Sequence, residues 1–217
     1  MATVSGPTRQ TEAPAATSGS WVPANPAPLG LAGFGITTLM LSAMNANLVS
    51  FDKNLPVVLG MAIAYGGLAQ LLAGLWEFRT GNTFGAVAFT SFGAFWISFY
   101  FLVQVQLPAI VKGGDAGHAL GLYLWAWAIF TGMIFLCSFA SARAISATLL
   151  ALTVTFVLLG IGNSGGHASV IHAGGYAGLV TAALALYTAC AEVMKAQYGR
   201  WVLPVGAPGE PGGSHLP

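Results

Sequence analysis

The residues of this chain that could do chemistry inside a membrane are neutral: amides, hydroxyls and two closely spaced histidines. Gln70 lies in the apolar run Tyr65-Gly66-Gly67-Leu68-Ala69-Gln70, Asn82 and Thr83 precede a long apolar stretch, and Asn163 and Ser164 sit at a Gly-rich junction. Amides and hydroxyls donate hydrogen bonds without carrying charge, so they can hold a small carboxylate weakly enough for it to leave again. Asn82-Thr83 and Asn163-Ser164 each stand where a helix is expected to begin. There they can cap free N–H groups, and the positive helix end itself suits a carboxylate. Gln70 would serve equally well in an interhelical hydrogen bond. His172, close behind His167, can bind a proton near neutral pH or act as a hydrogen-bonded structural residue.

Charged groups offer no alternative. Every Asp, Glu, Lys and Arg is expected in a tail, a loop or a helix end, and a charge at midplane would have marked an ion or proton relay. Walker-type loops, dinucleotide fingerprints and metal-ligand clusters are absent from the sequence, which therefore implies no cofactor and no metal. Cys137 and Cys190 lie singly in apolar runs and read as small packing residues. A formal net charge of +1 gives no electrostatic case for nucleic acid.

These groups need a scaffold, and composition says which kind. Of 217 residues, 56% are hydrophobic and only 6% charged. A soluble domain carries about 25% charged residues, so the chain is read as an all-α integral membrane protein. Six apolar runs are long enough to cross a bilayer: about 29–49, 56–76, 83–105, 118–139, 145–161 and 167–191. A polar loop is expected over 106–117, and 162–166 forms the junction between the last two runs. Residues 1–22 and 204–217, rich in Ala, Ser, Pro and Gly, are expected to be disordered tails around a transport domain at 23–203. With six spans, Arg9, Arg79, Arg143, Lys195 and Arg200 share one side, against Lys53 and Lys112 on the other. That bias predicts both termini in the cytoplasm. Gly81-Asn82-Thr83 pairs with Gly162-Asn163-Ser164, and Leu29-Gly30-Leu31 with Leu120-Gly121-Leu122. These matches suggest two inverted three-helix halves, a plan many transporters use.

The first span opens on Asn25-Pro26-Ala27-Pro28-Leu29-Gly30-Leu31. Two prolines in three residues predict a rigid, extended mouth with a free Asn25 amide. Gly30, Gly33 and Gly35 then allow close backbone approach. Phe34, Phe92, Phe95, Trp96, Tyr123, Trp125 and Trp127 fit either an interfacial belt or a hydrophobic constriction.

Two other motifs belong to different classes. Asn25-Pro26-Ala27 matches the signature of water channels, but that architecture needs two copies and only one is present. Gly162-Asn163-Ser164-Gly165 satisfies the GxSG pattern of rhomboid intramembrane proteases. Such an enzyme needs a His on a later, facing helix. His167 and His172 lie on the serine's own following helix, His215 in the polar tail, and His118 precedes the serine. The junction is better read as an ordinary helix turn, and the chain as a non-enzyme. A neutral-solute channel is the remaining alternative to a carboxylate path.

The ordered set of motifs from 25–31 through Gly-Phe-Gly-Ile-Thr-Thr at 33–38, Tyr-Gly-Gly-Leu-Ala-Gln at 65–70 and Gly-Asn-Thr-Phe-Gly at 81–85 resembles the acetate uptake transporter family, the succinate–acetate permeases. Ala-Phe-Thr-Ser-Phe-Gly at 88–93, Ile-Gly-Asn at 161–163 and Ile-His-Ala-Gly at 171–174 continue it, so that it covers about 24–205. The resemblance implies six helices around a pathway in each protomer, a homo-hexamer in the cytoplasmic (plasma) membrane, and passage of acetate, with succinate or lactate in some members. It places the narrow point on Phe34, Phe92 and Leu152, with Phe92 where the family usually has Tyr, and puts Ala185 at a position that influences substrate size. Asn25, Thr38, Gln70, Asn82, Thr83 and Asn163 are the expected pathway or selectivity residues, and His172 the candidate for proton coupling. Anion channel and proton-coupled permease both fit this reading.

Overall fold

The computed structural model describes residue 21 and residues 23–208. Six helices are long and apolar enough to span a membrane: α1 (Ala27–Asn45), α2 (Phe51–Thr80), α3 (Thr83–Lys112), α4 (Ala116–Ala140), α5 (Arg143–Gly165) and α6 (Ala168–Tyr198). The all-α expectation and the number of spans are borne out. Most run further than hydropathy alone implied, because a helix continues through polar residues until its backbone is capped. The loop expected at 106–117 is instead largely helix to Lys112, with a turn only around Gly113 and Gly114. α2 and α3 each contain a π-helical stretch, Ala64–Ala69 and Leu102–Gln106. The second ends just before Pro108, whose missing N–H cannot continue the ladder.

The proline-rich opening corrects an expectation. It is the first turn of α1, not an extended mouth. Pro28 occupies the start of the helix, where a missing N–H costs nothing, and Pro26 is already helical with φ −82°. The Pro26 carbonyl accepts from Leu29 N at 3.1 Å and from Gly30 N at 3.3 Å. Asn25 is not free either. Its Oδ1 accepts from Ala27 N at 3.0 Å, and its Nδ2 donates to Glu192 Oε2 on α6 at 3.2 Å.

Lipid supplies no hydrophobic force between helices, so they associate through close packing of small residues. α1 lies against α6 and against the π segment of α2. A Cβ on Gly33 would stand 2.6 Å from the Tyr65 carbonyl oxygen, and one on Gly175 would overlap the Asn45–Ala46 backbone. α5 packs between α4 and α6. Thr155 on α5 and Thr181 on α6 meet at 3.3 Å, while each also donates to a carbonyl one turn back. Such back-bonding lets hydroxyls sit in an apolar bundle without an orphaned proton.

The junctions separate the two suggested repeats more than their sequences do. Between α2 and α3, Gly81 adopts φ +79° and Asn82 caps α3, its Oδ1 accepting from Gly85 N at 3.1 Å. Between α5 and α6 the left-handed glycine is Gly166, φ +66°, and the residue before the helix is His167. Asn163 and Ser164, expected to cap α6, are the last turn of α5 instead. Asn163 Nδ2 donates to Leu159 O at 2.8 Å, and the Ser164 hydroxyl is packed on Gly121 of α4. The matched glycines also differ in partner, since Gly30 of α1 is covered by Phe89 of α3.

Residues 204–207, expected within a disordered tail, pack against the start of α5. Gly206 O and Val205 O accept from Arg143 N and Ala144 N at 3.2 and 3.0 Å, and Val205 and Ala207 are buried. Tyr187 Oη on α6 donates to Pro204 O at 2.8 Å. The two outward carbonyls thereby satisfy N–H groups that the first turn of α5 leaves open. Residues 1–20, 22 and 209–217 of the expected tails lie outside the described residues.

Candidate functional site

Two cavities lie inside the bundle, and they share walls. One, of about 310 Å³, is lined by all six helices and lies toward the C-terminal end of α1, among Thr38, Asn45, Phe51, Asn163 and His172. The other, of about 80 Å³, lies toward the side of the termini, among Gln70, Glu77, Asn82, Gly85 and Glu192. We call them the outer and inner cavities. Phe34 of α1 and Leu152 of α5 line both, and Phe92 of α3 lines the inner one. All three are nearly closed to solvent, at 5%, 3% and 4% exposure.

The rings at this boundary are held from behind. Phe34 and Phe92 have centroids 5.7 Å apart, and Phe92 meets Phe130 edge-on at 5.7 Å and Trp127 at 6.3 Å. Phe95, one turn further along α3, stacks on Tyr123 at 5.8 Å and meets Trp127 and Phe156 edge-on at 5.1 and 5.2 Å. Tyr123 Oη donates to Phe95 O at 2.9 Å and lies 2.8 Å from Ser98 Oγ. These pairs sit in the offset and edge geometries that ring quadrupoles favour. Phe34, Phe92, Phe95, Trp96, Tyr123 and Trp127 therefore belong to one buried cluster, not an interfacial belt, whereas Trp125 is exposed. Ala185 is fully buried in the same cluster as Phe34, Phe92 and Leu152, on α6.

The polar candidates divide between the cavities. Thr38, Asn163 and His172 line the outer one, and Thr38 Oγ1 is buried with no hydrogen-bond partner among the described residues. Gln70 and Asn82 line the inner one, and Gln70, at 1% exposure, leaves its Oε1 equally unpartnered. That oxygen is therefore in no interhelical hydrogen bond. Thr83 is exposed and lines neither cavity, and Asn25 stands outside the inner one, bonded to its wall residue Glu192. An orphaned buried oxygen costs about 1–3 kcal/mol, so two of them in cavity walls mark places where a ligand or water completes the structure.

Sequence reasoning missed the two carboxylates. Glu77 was expected at a helix end, yet it is 1% exposed and lines the inner cavity, and the half-buried Glu192 lines it too. Glu77 Oε2 accepts from Asn82 Nδ2 at 2.9 Å and from Thr80 Oγ1 at 3.1 Å, while Oε1 has no hydrogen-bond partner among the described residues. The head packs over Gly85, where a Cβ would stand 2.9 Å from its Cδ. Asn82 thus holds the carboxylate with its nitrogen and caps α3 with its oxygen. A Glu followed by Thr80, Asn82 and Gly85 carried the signal, but apolar spans were counted as ending at Trp76.

A chain with six spans and two cavities meeting at an apolar boundary can be compared with known proteins. The succinate-acetate/proton symporter SatP of Escherichia coli (strain K12) is 46% identical over 185 residues, which cover 84% of this chain and 95% of that protein. Acetate permease A of Emericella nidulans is 39% identical over 197 residues, covering 84% of this chain and 65% of the permease. A solved structure of the bacterial acetate channel SatP matches with a TM-score of 0.75 at 44% identity, covering 84% of this chain and 99% of that one. The family resemblance read from the motifs is borne out. The GPR1/FUN34/yaaH family profile matches residues 10–207, and this chain belongs to that family.

Proposed function

We propose that this chain carries acetate and related small monocarboxylates, with succinate and lactate as further substrates, across the cytoplasmic (plasma) membrane. The observation that carries the reading is that Phe34 and Leu152 wall both cavities, with the Phe92 ring against Phe34. A path of this shape has one narrow, dry step between two wider chambers. Acetate pairs a methyl group with a small polar head, so it can cross an apolar step briefly and be received by polar groups on either side. Thr38, Asn163 and His172 would receive it in the outer cavity, and Gln70 and Asn82 in the inner one. No Lys or Arg lines either cavity among the described residues, so binding stays weak enough for exit. Phe92 makes the step drier than a Tyr would, and Ala185 lies in the same buried cluster, where a larger side chain would press on the step.

The Lys and Arg bias supports both termini in the cytoplasm, with the inner cavity then facing the cell interior. Family membership supports a homo-hexamer. The names of the relatives, a proton symporter and a channel, support each of the two modes of passage.

The test is reconstitution in liposomes under a membrane potential, with an acetate gradient and a pH indicator. Acetate current without proton movement identifies a channel, and tightly coupled proton entry identifies symport. Equal passage of acetamide and acetate would favour a neutral-solute channel instead. Absence of any acetate transport would sink the reading.

A further inference from the structure

We infer that Glu77 takes the proton from a carboxylic acid that has crossed the apolar step, so that the inner cavity receives the protonated acid and releases the anion. This rests on the carboxylate pathway proposed above and assigns the proton step within it to one residue.

Two oxygens in the wall of the inner cavity are open to a donor. Glu77 Oε1 and Gln70 Oε1, both on 1% exposed side chains, have no hydrogen-bond partner among the described residues. Glu192 adds a second carboxylate to the same wall. Among the donors near Glu77, Asn82 Nδ2 serves Oε2, the Thr80 hydroxyl lies within reach of both Oε2 and the Glu77 carbonyl oxygen, and Asn25 Nδ2 serves Glu192. The open oxygens satisfy an acid O–H, while two carboxylates in one wall disfavour a further negative charge.

Among the described residues, no cation lines this cavity. α1 brings no charged side chain to the cavity, and the α3 wall, Phe84 to Phe92, has none either. On α2, Arg79 is exposed beyond Glu77, and on α5, Arg143 is exposed at the helix start; neither lines the cavity. α6 contributes Glu192; Lys195, one turn on, is exposed, and its ammonium lies 4.1 Å from the Trp201 ring centroid. Glu77 and Glu192 line the same small cavity. A proton on either one lowers the negative charge of that wall.

The step balances simply. The neutral acid crosses between Phe34, Phe92 and Leu152, where a bare anion would meet only apolar surface. In the inner cavity the acid's O–H bond breaks and an O–H bond forms at Glu77 Oε1. The product is the carboxylate, which leaves toward the termini, and a neutral Glu77, which then releases its proton to water on that side. Run backwards, the same two transfers load an outgoing carboxylate. Asn82 holds Oε2, so Oε1 is the oxygen open to proton exchange.

The experiment uses the full chain in liposomes, measuring initial acetate and proton movement against pH on the termini side, with protein-free vesicles subtracted. Wild type is expected to move protons with acetate. Glu77→Gln is expected to lose most of the acetate flux, with its accompanying protons, and the dependence of that flux on pH, whereas Glu77→Asp, still titratable, keeps both. A Glu77→Gln protein with the wild-type flux and pH profile overturns the inference. So does wild-type acetate flux without protons, which would leave the carboxylate reading standing; no acetate flux at all removes both. Should Glu77→Gln not insert, infrared titration of wild type and Glu77→Asp decides. The C=O stretch of a protonated carboxyl group must appear on acidification and shift in the Asp variant, and an unshifted band assigns the proton elsewhere and overturns the inference.

Discussion

The Asn25 amide donates to the Glu192 carboxylate at 3.2 Å, joining two residues 167 positions apart. The same side chain caps α1 through Ala27 N at 3.0 Å. One residue of the proline motif therefore sets where α1 begins and fixes a wall residue of the inner cavity on α6. The motif works as a clasp between the first and last helices.

Asn25→Ala removes both bonds. Loss of an N-cap costs about 1 kcal/mol, so a modest fall in the thermal unfolding temperature in detergent is expected. Asn25→Asp keeps the cap but sets a second carboxylate beside Glu192, so it is expected to be less stable than Asn25→Ala at neutral pH and to recover on acidification. Equal stability of both variants at every pH would show that the contact with Glu192 carries no weight.

Leu152→Ala opens the wall shared by the two cavities. Succinate and lactate uptake relative to acetate is expected to rise, at a stability cost of about 2–5 kcal/mol if the site does not collapse. Competition uptake assays in liposomes check this, and an unchanged acetate-to-succinate ratio would count against Leu152 as part of the narrow step.

Phe92→Tyr adds a hydroxyl to the driest part of the path. A polar group lowers the cost of wetting a hydrophobic constriction, so faster acetate flux is expected with little change in the surrounding ring packing. Slower flux would mean that the added volume outweighs the wetting.

Thr38→Val is nearly isosteric and removes a hydroxyl that has no hydrogen-bond partner among the described residues. Stability should hold or rise, because an orphaned polar atom is lost. If that hydroxyl binds the carboxylate in the outer cavity, KM rises about ten-fold, the equivalent of ~1.4 kcal/mol. An unchanged KM assigns Thr38 to packing alone.

Gly175→Ala tests the α1–α6 contact. The new methyl would overlap the Asn45–Ala46 backbone, which cannot swing aside as a flexible side chain would. Overpacking of this kind costs about 1–3 kcal/mol or more, and reduced monodispersity in size-exclusion chromatography is the expected result.

Much of this protein could be read along the chain. Six spans and their order came from hydropathy, because crossing a bilayer constrains composition one segment at a time, whereas the apolar trio at 34, 92 and 152 was implied by the family resemblance. Helix ends were less legible. Asn163 looks like a cap beside Gly162, but the turn forms at Gly166, where α5 has no further room against α6: a Cβ on Gly162 would stand 2.8 Å from Ile171 N.

The facing of each helix was beyond the sequence. In a soluble helix an apolar stripe announces the buried side, but here lipid and neighbouring helices are met by equally apolar residues, as exposed Leu72 and Leu75 beside buried Ala73 and Gly74 show. Only helix packing turns Glu77 inward over Gly85 and leaves Arg79, half a turn on, exposed. Composition made this a six-span membrane protein and the motifs placed its family. Tertiary structure alone decided that Phe34 and Leu152 wall both cavities, and that a carboxylate from an apparent helix end became part of the inner one.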